Sequence, residues 1–185
     1  PQLVLIIIAV DPAVTANEDS DDTGIVVIGL GVDGHGYVLR DLSCHLLATG
    51  PDGWAARAVN AYHFYKANYI IGEVNNGGDL VEGIIRQIDQ RVVYRGVRAS
   101  RGKFVRAEPV AQLYEQGRMH HVKRAEAPRE FENLEDQMCQ FVPGNLDGSP
   151  DNMDALVWGA SALFVEPEEV HQVVVYSPRV HISPF

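Results

Sequence analysis

The run Leu3 to Val10, eight consecutive apolar residues closed by Asp11-Pro12, constrains the fold more than any other stretch of the chain. An uninterrupted apolar segment of this length suits a central β-strand covered on both faces. It is far shorter than the roughly 20 residues of a membrane helix, and no basic region precedes it as in a signal peptide. The chain holds 185 residues, 46% of them hydrophobic, which is enough to bury a full core. The expected organisation is one domain over 1–185, with its core at about 3–165 and an extension over 166–185. The first residue is Pro1, not Met, as in a piece cut from something longer. Cys44 and Cys139 are the two cysteines, with no CxxC, so neither a disulfide framework nor a zinc module is indicated and a reducing cytoplasm fits.

Fifteen basic against 25 acidic residues leave a formal charge of −10, which at first sight speaks against nucleic acid as a partner. The distribution tells more. Arg86, Arg91, Arg95, Arg98, Arg101, Lys103 and Arg106 face one acid, Asp89, over 86–106, a local balance of +6. Opposed to it, Asp11, Glu18, Asp19, Asp21 and Asp22 fall in a stretch without a basic residue. Such a chain can bind cations at one pole and phosphates at the other, although each pole alone also reads as solvated loop surface.

Further elements follow from pattern. Strands are expected over Gly24–Leu30 and Tyr37–Leu47, joined by the turn-rich Gly31 to Gly36, and then over Tyr69–Val74, Arg91–Val97 and Met119–Val122. Helical spacing covers Pro51–Ala67, then a segment capped by Asp79 with Leu80, Ile84, Ile85 and Ile88 as its apolar stripe. Ala99–Val105 reads as a loop before a short helix from Glu108-Pro109 to Gln116, with Gly117 in the stop position. Helices are also expected over Pro128–Gln140 and Asp151–Phe164, a turn-rich loop over Pro143–Pro150, and an edge strand at Val173–Val175. Three hairpin-connected strands followed by alternating helices and strands define an α/β, ribonuclease H-like mixed sheet with helices on both faces.

In this topology the first and fourth strands are parallel neighbours, so Asp11 and Glu73 meet at their carboxyl ends. A last helix packed across that edge adds Asp154 and, one turn earlier on the same face, Asp151. Clustered carboxylates repel, and hard oxygen donors of this kind favour Mg²⁺ or Mn²⁺, a pair of which supports phosphodiester cleavage. The plainer alternatives stay open here: Asp11 as a turn former, Glu73 as a surface acid, Asp154 as a helix N-terminal acid favoured by the dipole.

Five stretches carry a family resemblance: Ile8-Ala9-Val10-Asp11-Pro12-Ala13, Asp22-Thr23-Gly24-Ile25-Val26-Val27, Ile70-Ile71-Gly72-Glu73-Val74-Asn75, Val105-Arg106-Ala107-Glu108-Pro109-Val110, and Ser149-Pro150-Asp151-Asn152-Met153-Asp154-Ala155-Leu156-Val157-Trp158. Together, over about residues 5–165, they resemble the C-terminal nuclease domain of tailed-bacteriophage large terminase subunits. The resemblance implies an endonuclease that cuts concatemeric viral DNA during genome packaging, in the host cytoplasm, with two divalent metal ions held by an acidic triad. Asp11 matches the first-strand aspartate, Glu73 the second carboxylate, where many relatives carry Asp, and Asp154 the final-helix aspartate. In the intact subunit the implied partners are an N-terminal ATPase domain, the small terminase subunit and the portal. No G-x-x-x-x-G-K-[ST] loop occurs in this chain, so ATP hydrolysis is not expected of it. Arg98, Arg101, Lys103 and Arg106 are then the candidates for gripping the backbone of double-stranded DNA without reading sequence. A resolvase-like nuclease preferring branched DNA, and a non-catalytic domain docking DNA or a packaging partner, are the competing readings.

Other patterns carry less. Gly29-Leu30-Gly31-Val32-Asp33-Gly34 matches a dinucleotide fingerprint, but strand continues at Tyr37 where a helix should open. Asn17-x-Asp19-x-Asp21 starts like a calcium loop, yet Asp22 occupies the glycine position and Ile28 that of the bidentate glutamate; Asp22 remains the acid that best reaches the site edge. His120 and His121 adjoin on a strand and so point to opposite faces. Trp54 and Trp158 read as core or interface residues.

Overall fold

The computed structural model describes residues 1–12, 22–45, 50, 52–74, 78–99, 101–142 and 150–164, with backbone only at 78 and 79. Glu18, Asp19 and Asp21, the Asp79 cap, the loop before Pro150 and the strand expected at Val173–Val175 lie outside the described residues or side chains. Six strands form one sheet: β1 (Leu3–Asp11), β2 (Gly24–Gly31), β3 (Gly36–Asp41), β4 (Tyr69–Glu73), β5 (Tyr94–Val97) and β6 (Met119–His121). Their order is β5-β4-β1-β2-β3-β6, with β2 antiparallel to both neighbours and the other pairings parallel. The sheet is therefore the mixed one expected from the sequence.

Helices α1 (Trp54–Tyr65), α2 (Gly78–Ile88), α3 (Lys103–Glu115), α4 (Glu132–Gln140) and α5 (Asp151–Phe164) divide between the two faces. The pleat sends Ile7 and Ala9 of β1 into a core completed by α3, α4 and α5, while Ile8 and Val10 meet α1 and α2. Ile7 and Ile8 are both fully buried, and each such side chain contributes about 1.5–3 kcal/mol relative to exposure. Among the described residues no helix is long and apolar enough to cross a membrane.

Gly31 to Gly36 turn β2 into β3 through hydrogen bonds from Gly31 N–H to the His35 carbonyl and from Gly34 N–H to the Gly31 carbonyl. Gly34 sits at φ +76°, which glycine adopts without strain, so the glycine-rich run is a hairpin and opens no helix. On β6, His120 bonds His35 and stacks on Tyr37, whereas His121 turns to Tyr114 and Glu135 on the other side, as the strand's pleat requires.

Several elements differ from the sequence reading. β3 ends at Asp41, after which Thr23 and Cys44 form an isolated bridge, and β5 starts at Tyr94. In α2 the buried residues are Val81 and Ile85; Leu80 and Ile88 flank the packed line and are exposed. The largest change concerns α3. It begins at Lys103 behind Gly102, whose extended backbone caps it, and Pro109 lies inside the helix instead of opening it. Pro109 is exposed, and the Val105 carbonyl that its missing N–H leaves unbonded belongs to an exposed turn where water can serve it. Lys103 and Arg106 thus stand on a helix packed beside α5, not in a loop.

Candidate active site

Asp11 and Glu73 are the last residues of β1 and β4. The parallel register that sets Val10 opposite Gly72 carries them side by side at one edge of the sheet. On the other flank of Asp11 the antiparallel partner is Gly24, and that glycine decides where α5 begins. A Cβ on Gly24 would fall 2.0 Å from the Asp151 carbonyl oxygen, so only a residue without a side chain lets the first turn of α5 rest directly on β2. Farther along, Gly159 packs against Ile28 and Ala9 with similarly little room.

The seating of α5 brings its first-turn acids to the strand ends. Asp154 is 1% exposed and Asp151 6%, while the Asp154 N–H closes the first turn on the Pro150 carbonyl at 2.8 Å. Proximity to a helix N-terminus favours both carboxylates, though the dipole stabilises an acid by only about 0.3–1 kcal/mol at ordinary sites. That is small beside the cost of crowding several buried acids. The cost is visible at Asp11: burial of its carboxyl, followed by the charge of Asp154 and then those of Glu73 and Asp151, pushes its pKa up to about 8, against a partial opposing pull from Lys103.

Two cations answer Asp154. Lys103 Nζ is ion-paired with Asp154 Oδ2, and Arg106 Nη2 lies 3.9 Å from Asp154 Oδ1. Pairing with Asp154 and the nearby charges of Asp11 and Asp151 raise the Lys103 pKa despite the opposing effect of burial. Arg106 is itself buried. Its Nη1 donates to the Arg101 carbonyl at 2.6 Å, and its guanidinium carbon lies 4.4 Å from the ring centroid of Trp158. Trp158, one turn beyond Asp154 on α5, donates its indole N–H to Glu73 Oε2 at 3.3 Å. A further bond, Asn152 Nδ2 to Asp41 Oδ2 at 2.9 Å, ties the start of α5 to the end of β3. Gln137 Oε1 accepts from the Met153 N–H at 3.0 Å.

Asp11, Glu73, Asp151 and Asp154 are therefore gathered at one sheet edge. Among the described residues no three His, Cys, Asp or Glu side chains converge closely enough to enclose an ion, and the Lys103 ammonium rests against Asp154. The donor set nonetheless suits a hard divalent cation, being all carboxylate oxygen with one acid whose ionisation is opposed by its burial and then by its neighbours. Of the four basic residues read as backbone grips, Arg98 and Arg101 are exposed and Lys103 is half-buried. Arg106 departs from that reading: at 8% exposure it lies between Trp158, Asp154 and the Arg101 carbonyl, where a buried guanidinium supports the acids. Asp22 pairs with His45 at 3.2 Å. The part of Trp158 in orienting Glu73 went unread in the sequence, although its position four residues after Asp154 placed both on one helix face.

Residues 8–163 match the family described as the terminase RNaseH-like domain. No curated protein shows significant similarity to the chain. Among solved structures, the human cytomegalovirus terminase nuclease domain, manganese-soaked and inhibitor-bound, is similar at 14% identity with a TM-score of 0.55, over 83% of this chain and 81% of that one. A mutant nuclease domain of the large terminase subunit of bacterial virus Sf6, with manganese and beta-thujaplicinol, is similar at 13% identity with a TM-score of 0.56, over 85% and 88%. The yeast mitochondrial Holliday junction resolvase is similar at 9% identity with a TM-score of 0.53, over 85% and 78%. At such identities the likeness establishes the fold, which is ribonuclease H-like.

Proposed function

The chain belongs to the terminase RNaseH-like domain family, and from that premise we propose that it is a metal-dependent DNA endonuclease. The observation that carries this reading is the gathering of four carboxylates at one edge, where burial first and the neighbouring acids second push Asp11 up to about 8. Asp11, Glu73 and Asp154 would hold two divalent ions, Mg²⁺ or Mn²⁺, with Asp151 at their margin. When bound, such ions supply the positive charge that acidifies an attacking water and offsets charge developing on the scissile phosphate.

The chain's own residues have separate parts in this scheme. Trp158 orients Glu73 through its indole N–H, and Arg106 braces both Trp158 and Asp154. Lys103 neutralises Asp154 in the metal-free protein and has to yield part of that contact to a cation. Arg98 and Arg101, exposed just before α3, contact the DNA backbone; phosphate contacts of this kind position the duplex without reading its sequence. Residues 1–185 would act as one nuclease domain within a large terminase subunit, cutting concatemeric viral DNA during packaging in the host cytoplasm. An N-terminal ATPase domain, the small subunit and the portal would be its partners.

Supercoiled plasmid incubated with Mn²⁺ or Mg²⁺ tests the reading. Nicking and then linearisation are expected, and EDTA, Asp11→Asn or Asp154→Asn should abolish both. The fold shared with a junction resolvase supports a second reading, cleavage directed to branched DNA. A preference above about tenfold for a four-way junction over linear duplex, worth about 1.4 kcal/mol, would favour it. Binding without cutting under every divalent metal would leave a docking domain.

A further inference from the structure

Phe104 follows Lys103 in the first turn of α3, and 47% of its surface is exposed. Behind it lies Phe141, just past the end of α4, with ring centroids 6.1 Å apart and planes inclined by 26°. Val105 and Val142, the next residues along the chain from each ring, are also exposed, as are Arg98 and Arg101 before α3. Buried Arg106 holds the Arg101 carbonyl at 2.6 Å. An exposed aromatic ring stacked on a second one thus follows directly the lysine paired with Asp154, with exposed arginines shortly before it in the chain.

The Lys103–Asp154 pair ties the turn that carries Phe104 to the first turn of α5, where two of the site's acids stand. Nucleic acid offers what the patch lacks, flat π faces to stack on an aromatic ring and phosphates to meet the flanking arginines. We infer that Phe104, backed by Phe141, is a base-stacking wedge: a nucleobase next to the phosphate being cut leaves its neighbour in the duplex and packs on the Phe104 ring. The inference rests on the endonuclease reading above and adds a selectivity to it. Unstacking is easiest at pyrimidine–purine steps, so cutting is biased toward TA and CA/TG without any hydrogen bond to a base edge.

The test uses the full chain, Mn²⁺, and two duplexes of one sequence, fully paired or carrying two mismatched pairs at the cut position. Phe104→Ala is expected to lower kcat/KM on the paired duplex by about tenfold and on the mismatched one by less than about twofold. Phe104→Trp keeps a ring and is expected to keep both rates. Equal losses on the two duplexes in Phe104→Ala would assign Phe104 to holding Lys103 in place and overturn the wedge, as would no loss on either. A second readout does not need cleavage. With Ca²⁺ in place of Mn²⁺ and 2-aminopurine at the cut position, emission should rise on binding the parent protein and not on binding Phe104→Ala. Unchanged emission with the parent, binding being verified by anisotropy, overturns the wedge. A rise in emission from a protein that cuts under no metal would retain the wedge and sink the endonuclease reading. Self-association lost in Phe104→Ala, with no change in emission, would give the patch to a second copy of the chain and overturn the inference.

Discussion

The Trp158 indole N–H and the Glu73 carboxylate meet across the seam between α5 and the end of β4, 3.3 Å apart. The contact fixes one carboxylate from the helix that carries two others. Trp158→Phe keeps an aromatic ring in the core and removes only the donor, so the stability lost should be about 0.5–1.5 kcal/mol. Metal binding should weaken as well, by about tenfold for Mn²⁺, as for other residues that orient a ligand from behind. Calorimetric Mn²⁺ titration beside thermal melts separates the two effects.

Lys103→Met addresses the ion pair with Asp154. The substitution preserves a long side chain and, among the described residues, leaves Arg106 at 3.9 Å as the cation beside the buried carboxylate. Because Lys103 itself is 38% exposed, the loss should fall below that of a fully buried pair, at about 1–3 kcal/mol without metal. Saturating Mn²⁺ should restore more of the Tm in Lys103→Met than it adds to the parent. Equal metal-induced shifts in the two proteins would contradict a shared place for the ammonium and the cation at Asp154.

The pH dependence has a definite sign. Asp11 binds its proton up to about pH 8 in the folded chain, against 3.8 for an unperturbed aspartate. The folded state therefore holds this proton more tightly, so the favourable contribution is complete below the unfolded value and disappears as pH rises through the folded one. Metal-free protein should lose stability between about pH 4 and 8 relative to Asp11→Asn, whose amide does not titrate. Under the proposed function Mn²⁺ would compete with the same proton, and its apparent affinity should climb with pH over that range and level off above about 8. Melts and Mn²⁺ titrations at several pH values check both trends.

Gly24→Ala should be among the most disruptive small substitutions in the chain. The added methyl carbon meets Asp151 backbone at 2.0 Å, where no flexible side-chain end can move aside. Overpacking of this kind costs about 1–3 kcal/mol and sometimes more, and here it also displaces the first turn of α5. Cleavage should be lost with the stability. Gly83→Ala in α2 is the control, since an added Cβ meets nothing within 4 Å and should stabilise the helix by about 0.5–1 kcal/mol.

Much of this arrangement was legible in the chain itself. Asp151–Phe164 was readable as a helix to its ends, and the adjacency of Asp11 and Glu73 followed from a topology in which β1 and β4 are parallel neighbours. The start of α3 was not readable. Arg98, Arg101 and Gly102 look like solvated loop, and nothing local reveals that Lys103 and Arg106 are drawn inward by an acid on another helix. Charge patterning shows that a segment is basic but not which of its residues face a distant carboxylate. The α2 stripe held at Ile84 and Ile85 and failed at its ends: Leu80 and Ile88 have the right spacing but are exposed, and Val81 is the second buried residue of the helix.

Backbone contact of Asp151 with Gly24, and the side chains of Ile28 and Ala9 packed against Gly159, pin α5 to the sheet at two places, separated by eight residues of helix or about 12 Å. A rod riveted at two points can neither roll nor slide. Any accommodation to an arriving substrate is therefore left to rotamers and to the surface around Phe104, and the acids of α5 inherit the stiffness of the sheet beneath them.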